Sequence, residues 1–261
     1  MLSALASGFV STFLGVAGPE LLARGDRSAG NSRRPLVLAT LLIALVGWLG
    51  EWEMSGELIR SGWVVLLTVG WLAGTAAGRA LSSAPPPRVT AAVALLVLAW
   101  RLSVAPDPLH EPIARLTETV PGSDHALVLA VGLLAGAASV TVGVAGGLIT
   151  VPLLRLCFAD PSGHDIRMTS LAVIAAIAAL ELGRRRPARA HVDAPVLHVV
   201  VPAGLAGAVL GTASVHLAPV TLERLVFALL LALVAVHLLT EAWPEGIAAR
   251  RRVSPGGRHE A

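Results

Sequence analysis

Seven long stretches of the chain carry almost no charge: 35–50, 61–78, 89–100, 126–154, 168–180, 194–215 and 225–240. Most approach the roughly 20 apolar residues with which a helix crosses a bilayer. They are rich in Ala and Leu and show no strict apolar/polar alternation, which argues against a barrel. In lipid the backbone must satisfy its own hydrogen bonds, and helices do so within one segment. The pattern predicts an all-α, polytopic helical membrane protein. One tract does not fit a simple count of crossings. As continuous helix, 126–158 would extend about 50 Å, against a hydrocarbon core of about 30 Å. Two full crossings with a turn need roughly 40 residues or more. Gly143, Gly146, Gly147 and Pro152 mark where such a helix would break. A re-entrant or discontinuous helix is expected there.

That break belongs to a motif that occurs twice. Gly8, Ser11, Gly15-Val-Ala-Gly18 and Gly136, Ser139, Gly143-Val-Ala-Gly146 both read G-x-x-S-x-x-x-G-V-A-G, 128 positions apart. Thr40-Leu41 then resembles Thr169-Ser170-Leu171, and Gly74/Gly78 pairs with Gly207/Gly211, the offset drifting only to 133. The spacing predicts two related halves, 1–104 and 125–241, joined by an extracytoplasmic linker at 105–124. The remainder, 242–261, is expected to be a disordered cytoplasmic tail. The apolar stretch 1–23 has no Arg before it and Arg24 and Arg27 after it, the reverse of a signal peptide, and it carries the motif. It is read as structure. Whether it crosses or re-enters is open, because its second arm is short.

Charge fixes the orientation of the halves. The chain has no Lys, and its twenty basic residues are all Arg. If 126–158 crossed once, the loop with Arg184, Arg185, Arg186 and Arg189 would face away from that with Arg24, Arg27, Arg33 and Arg34, against the positive-inside rule. If it enters and returns, both loops are cytoplasmic, and fourteen of the twenty Arg lie inside. Glu51, Asp107, Glu111 and Asp165 then fall outside, with Trp48, Trp52, Trp63 and Trp100 as an outer aromatic belt. The same model runs 35–50 outward and its partner 168–180 inward. The halves are therefore read as inverted repeats, a recurring design of secondary transporters.

Composition narrows the rest. Mean hydropathy is +0.74 and only 14% of residues are charged. Net charge is +3, but the Arg sit in short loops and form no aromatic-interleaved surface, so nucleic acid is not an expected partner. The lone Cys157 excludes an internal disulfide and any multi-cysteine metal site. No Walker or dinucleotide motif is present, and Gly-Val-Ala-Gly lacks the serine of a nucleophile elbow. No catalytic residue, metal or cofactor is expected.

The run Gly136-x-x-Ser139-x-x-x-Gly143-Val-Ala-Gly146-Gly147-x-x-x-x-Pro152-Leu-Leu resembles the repeat of the TauE/SafE sulfite exporter family, also called the 4-toluene sulfonate uptake permease family. Thr169-Ser170-Leu171, Val192-Asp193 and Gly207/Gly211 are similar to its second half. The sequence departs at Ala145, where the family has a glycine, and at Gly18-Pro19-Glu20, where the first repeat would carry a glycine run. The resemblance implies a plasma-membrane permease moving a small anion, with sulfite or an organosulfonate as the substrate class. The alternatives are a degenerate, non-transporting membrane partner, to which the eroded first motif points, and an intramembrane enzyme.

A small anion needs donors that replace its water without a full charge left in lipid, and backbone amides at a broken helix supply them. Ser139, Gly143, Gly146, Gly147 and Thr150 are expected to form such a cradle, with Ser11, Gly15 and Gly18 as the matching half. Thr40, Thr169 and Ser170 start paired helices and either line the pathway or bond back to their own turns. Gly74, Gly78, Gly207 and Gly211 are read as close-packing positions. Glu20 is a candidate for a coupled proton, or the interfacial partner of Arg24. Arg155 is read as an attractor at the outer mouth or a snorkelling side chain. His198, His216 and His237 are read as interfacial or packed.

Overall fold

The computed structural model describes residues 2–14, 33–55, 61–81, 88–103, 123–142, 146–158, 163–184 and 194–253. Among them are nine helices and no strand: α1 (Leu2–Leu14), α2 (Arg33–Ser55), α3 (Ser61–Leu81), α4 (Arg88–Ser103), α5 (Ser123–Thr141), α6 (Gly147–Cys157), α7 (Gly163–Arg184), α8 (Ala194–Leu217) and α9 (Val220–Val253). Five of the described helices, α2, α3, α5, α7 and α9, are long and apolar enough to cross a membrane. Many large apolar side chains point out of the bundle as well as into it. On α9 Leu225, Leu229, Leu233 and Val236 are exposed at helical spacing, a stripe suited to lipid and not to water. α9 continues through Val253, into the segment read as a tail.

Small residues set the principal packings. α3 lies on α5 and α1 lies on α8. Along the first pair Gly70 faces Leu129, Gly74 faces Leu133 and Ala137, and Gly78 faces Ala137, so the helices run parallel. Along the second, Gly207 faces Leu5 and Phe9 while Gly211 faces Phe9 and Phe13, again parallel. The contacts correspond through the repeat: Gly74 meets the Leu133 carbonyl and the Ala137 amide, and Gly207 meets the Leu5 carbonyl and the Phe9 amide. Those partners are separated by the same 128 positions as the glycine motifs. Gly136 against Trp71 likewise answers to Gly8 against Gly204. Backbone-to-backbone approach of this kind is how helices associate without a hydrophobic drive between them.

Two further packings join repeat-related helices to each other. α4 lies on α9, and α2 on α7. α2 and α7 run antiparallel, with Gly47 near Leu171 and Glu51 bonded to Arg167. α8 also lies along α2 and α7 along α3, so exchanging the halves maps these packings onto one another.

The long apolar tract folds as a full helix and a short return. Gly146 sits beside Trp71 in the middle of α3, and Phe158 packs on Trp63 near its start, ring centroids 4.5 Å apart. α6 therefore runs against α3 and, because α3 and α5 are parallel, back along α5. The discontinuous helix expected at the second motif is present. At the first motif α1 ends at Leu14, and Gly15, Gly18 and Glu20 lie outside the described residues.

Close approach makes the stability of α3 on α5 sensitive to one carbon. A Cβ at Gly74 would overlap the Leu133 carbonyl, whereas one at Gly183 meets nothing within 4 Å. Gly74→Ala is expected to lower stability by about 1–3 kcal/mol, and Gly183→Ala to be neutral or mildly stabilising. Thermal unfolding of the purified protein in detergent checks both; equal melting of the two variants would refute the packing argument.

Candidate functional site

The interruption between α5 and α6 lies inside the bundle. Gly146, Gly147, Leu148 and Thr150 are all buried. Gly146 caps α6 with helical dihedrals (φ −55°, ψ −35°), and no side chain caps the helix. Its carbonyl accepts from the amides of Ile149 (3.0 Å) and Thr150 (2.9 Å) and from the Thr150 hydroxyl (3.0 Å). The amides of Gly147 and Leu148, ahead of these, have no acceptor within the helix, and they stand at the positive end of its dipole. A Cβ on Gly146 would come 2.5 Å from Trp71 Nε1. The indole N–H, a donor only, therefore stands beside the break. The sequence offered no signal for Trp71, which comes from the other half of the chain.

The structure gathers some of the expected residues and separates others. Gly146, Gly147 and Thr150 share one turn. Ser139 donates to the Gly136 carbonyl (2.8 Å), its own preceding turn. Thr169 and Ser170 are buried on α7, Thr40 on α2 and Ser11 on α1. Thr40 and Thr169 do not meet: with Gly47 by Leu171 and Glu51 by Arg167, Thr40 falls opposite Ala178. That is about 13 Å along the axis from Thr169 at 1.5 Å per residue. Beside Ser11, Thr12 donates to the Ala208 carbonyl (2.9 Å) and ties α1 to α8. Gly143 lies outside the described residues.

A second cluster was not anticipated. Glu51 near the end of α2 and Arg167 near the start of α7 are 0% and 1% exposed. Arg167 Nε donates to Glu51 Oε1 (3.1 Å) and its NH1 to Glu223 Oε1 on α9 (2.6 Å). Arg155, at the end of α6, pairs with the same Glu223 oxygen. Its Nε is buried and makes no hydrogen bond among the described residues. On the other side of Glu51, Oε2 lies 3.0 Å from His164 Nδ1. It also lies 3.3 Å from His216 Nε2, at the end of α8, near enough for charge interaction but outside hydrogen-bond geometry. The imidazoles stack with centroids 4.4 Å apart, and Arg167 NH2 is 2.7 Å from His164 Nδ1.

Five helices thus meet on two carboxylates, two guanidiniums and two imidazoles. Read from sequence, Glu51 belonged to the outer acidic residues, Arg155 snorkelled or drew anions at the mouth, and His216 was interfacial or packed. Pairing with Glu223 keeps Arg155 inside instead. Glu51, His164 and His216 bring an oxygen and two nitrogens within 4.8 Å of one another. A cation there would face the Arg167 guanidinium at His164 Nδ1, so the arrangement does not favour a metal. Taking an ion out of water costs several kcal/mol even after relaxation, and charged groups at membrane depth mark function by default.

A model of the family described as Sulfite exporter TauE/SafE matches residues 127–259. The match covers 133 of 261 residues and takes in the helix break and the ionic cluster apart from Glu51. No curated protein and no solved structure matches the chain.

Removing one partner from a buried pair strands the other charge. Glu51→Ala is expected to cost about 3–5 kcal/mol, and Glu51→Gln distinctly less, because its amide oxygen still accepts from Arg167 Nε. Thermal unfolding in detergent reads the difference; wild-type melting of Glu51→Ala would mean that the cluster does not hold the helix ends.

Proposed function

Because the chain belongs to the sulfite exporter TauE/SafE family, whose members are membrane transporters, we propose that it carries a small anion across the plasma membrane by secondary transport. Sulfite is the substrate that the family description names, and organosulfonates present the same sulfur oxyanion chemistry. The observation that carries the reading is the buried start of α6. Gly147 and Leu148 offer amides at the positive end of a helix, and the missing side chain of Gly146 lets the Trp71 indole stand against the break and add an N–H. This is a donor set without a permanent charge, suited to binding an oxyanion and releasing it again.

Alternating access follows from inverted repeats. The antiparallel run of α2 against α7 and the matched packings of α1 on α8 and α3 on α5 support that relation. Residues 15–18 would then supply the second half of the cradle. With Arg-rich loops inside, the C-terminus is cytoplasmic. Ser139 and Thr150 line the cradle in this reading, and Thr169 and Ser170 the path toward the ionic cluster. The chain binds and moves its substrate without transforming it.

Purified protein in proteoliposomes tests this with a panel of sulfite, sulfoacetate and thiosulfate. Flux of at least one above empty vesicles is expected, and well-folded protein that moves none of the three would sink the proposal. Gly146→Leu, which drives a side chain into Trp71, is expected to reduce flux at least tenfold while insertion is unchanged. Ser139→Leu is expected to act likewise; unchanged flux in either variant removes that residue from the cradle.

A further inference from the structure

We propose that Glu51, His164 and His216 form a proton-binding site, coupled to anion occupancy through Arg167 and Arg155. The inference rests on the transport reading above and adds the coupling ion and the residues that carry it.

The first argument is geometric. Arg167 NH2 lies 2.7 Å from His164 Nδ1, and Glu51 Oε2 lies 3.0 Å from the same nitrogen. That nitrogen cannot serve both. With a lone pair it accepts from Arg167, and the imidazole is neutral. With a proton it donates to Glu51, and Arg167 NH2 loses its acceptor. Starting from the Nε2–H tautomer, one added proton therefore exchanges the partner of His164 and releases the Arg167 N–H from it. Arg155 Nε is already a buried donor without an acceptor among the described residues. Two donors on adjacent arginines, joined through Glu223, are then open to an oxyanion.

The second argument is charge. Arg155 and Arg167 offset Glu51 and Glu223, so the cluster is neutral when both imidazoles are. An added anion would leave a net negative charge where desolvation makes it costly, and a proton on an imidazole offsets it. Imidazole is the side chain whose unperturbed titration lies near neutrality. The two rings stack at 4.4 Å and share one carboxylate oxygen, so they repel if both are charged. The charged groups facing them are Glu51 from α2, Arg155 from α6, Arg167 from α7 and Glu223 from α9, with Asp165 and Arg224 also at this end of the bundle.

The third argument is position. Arg167 precedes Thr169 and Ser170 on α7 by less than one turn, and Arg155 ends the helix that Gly147 begins. The proton site and the cradle share α6, and α7 carries the path residues beside Arg167.

The test is an NMR titration of the full-length protein in detergent with isotope-labelled histidine, the two signals assigned with His164→Gln and His216→Gln. Spectra are recorded across about pH 5 to 8; protonation of one ring is expected to change the signal of the other, and each single variant to alter the response of the remaining ring. Thiosulfate or sulfoacetate, both fully ionised at the working pH, is expected to take up protons from a weakly buffered solution, about one per chain by reciprocal linkage. His164→Gln is expected to abolish that uptake. Rings that stay silent across the range, or that titrate independently, overturn the proton site. Paired titration without anion-linked uptake overturns the coupling. Failure of the whole flux panel would instead defeat the transport reading and leave the titration standing, so the two failures are distinguishable.

Discussion

In hydrocarbon an amide without a partner costs several kcal/mol, and a helix that stops at Thr141 and restarts at Gly147 creates several at once. The break uses up its own nearest acceptor, since the Gly146 carbonyl already takes two amides and the Thr150 hydroxyl. Among the described residues, what is left unanswered at the start of α6 is donor character alone, at the positive end of a helix. Negative charge is its complement. A lysine in the same place would bind an anion more strongly, but it would leave an unpaired cation in the bundle whenever the site emptied. Bare amides suit a ligand that must leave as readily as it enters.

That break is held by packings that differ in kind. α3 on α5 and α1 on α8 meet backbone to backbone, with glycines set against carbonyls. Such contacts tolerate little sliding, because any shift drives a carbonyl into a helix. α2 on α7 and α4 on α9 join repeat-related helices across the centre, and α2 meets α7 through side chains such as Leu171, Glu51 and Arg167. If the halves exchange conformations as proposed, the close pairs are the parts that travel as units, and rearrangement falls to the central interfaces. The ionic cluster sits on one of these interfaces.

The lipid-facing helices were legible because hydrophobic length and charge placement report directly on the bilayer. The break was legible too, since the largely apolar tract of 33 residues from Ala126 to Phe158 is too long for one span and too short for two. The packing role of Gly74 and Gly207 followed from small-residue spacing. Trp71 was not legible, because its place beside Gly146 depends on the parallel register of α3 and α5. Nor was the cluster: Glu51, Arg155, His164, Arg167, His216 and Glu223 come from five helices. Each alone reads as an ordinary charge near a helix end. Only the antiparallel register of α2 and α7 reveals that Glu51 and Arg167 meet away from solvent. The same register separates Thr40 from Thr169, which the repeat had paired by position.

The repeat also shows where the two halves stop being equivalent. At the spacing that relates Thr40 to Thr169, Arg167 corresponds to Leu38 and Glu51 to Leu180. Trp71, beside the second break, corresponds to Gly204. The matched packings thus carry the buried ionic cluster at one end, and the indole stands at the break before α6. A symmetric device would expose its site equally to both faces. Here one end is tied by buried ion pairs, whose opening carries an electrostatic cost that a proton and an anion together can offset. The other end has leucines at the corresponding positions. If the halves alternate as proposed, an energetic difference between the two open states is written into the side chains, on a backbone whose packing treats them alike.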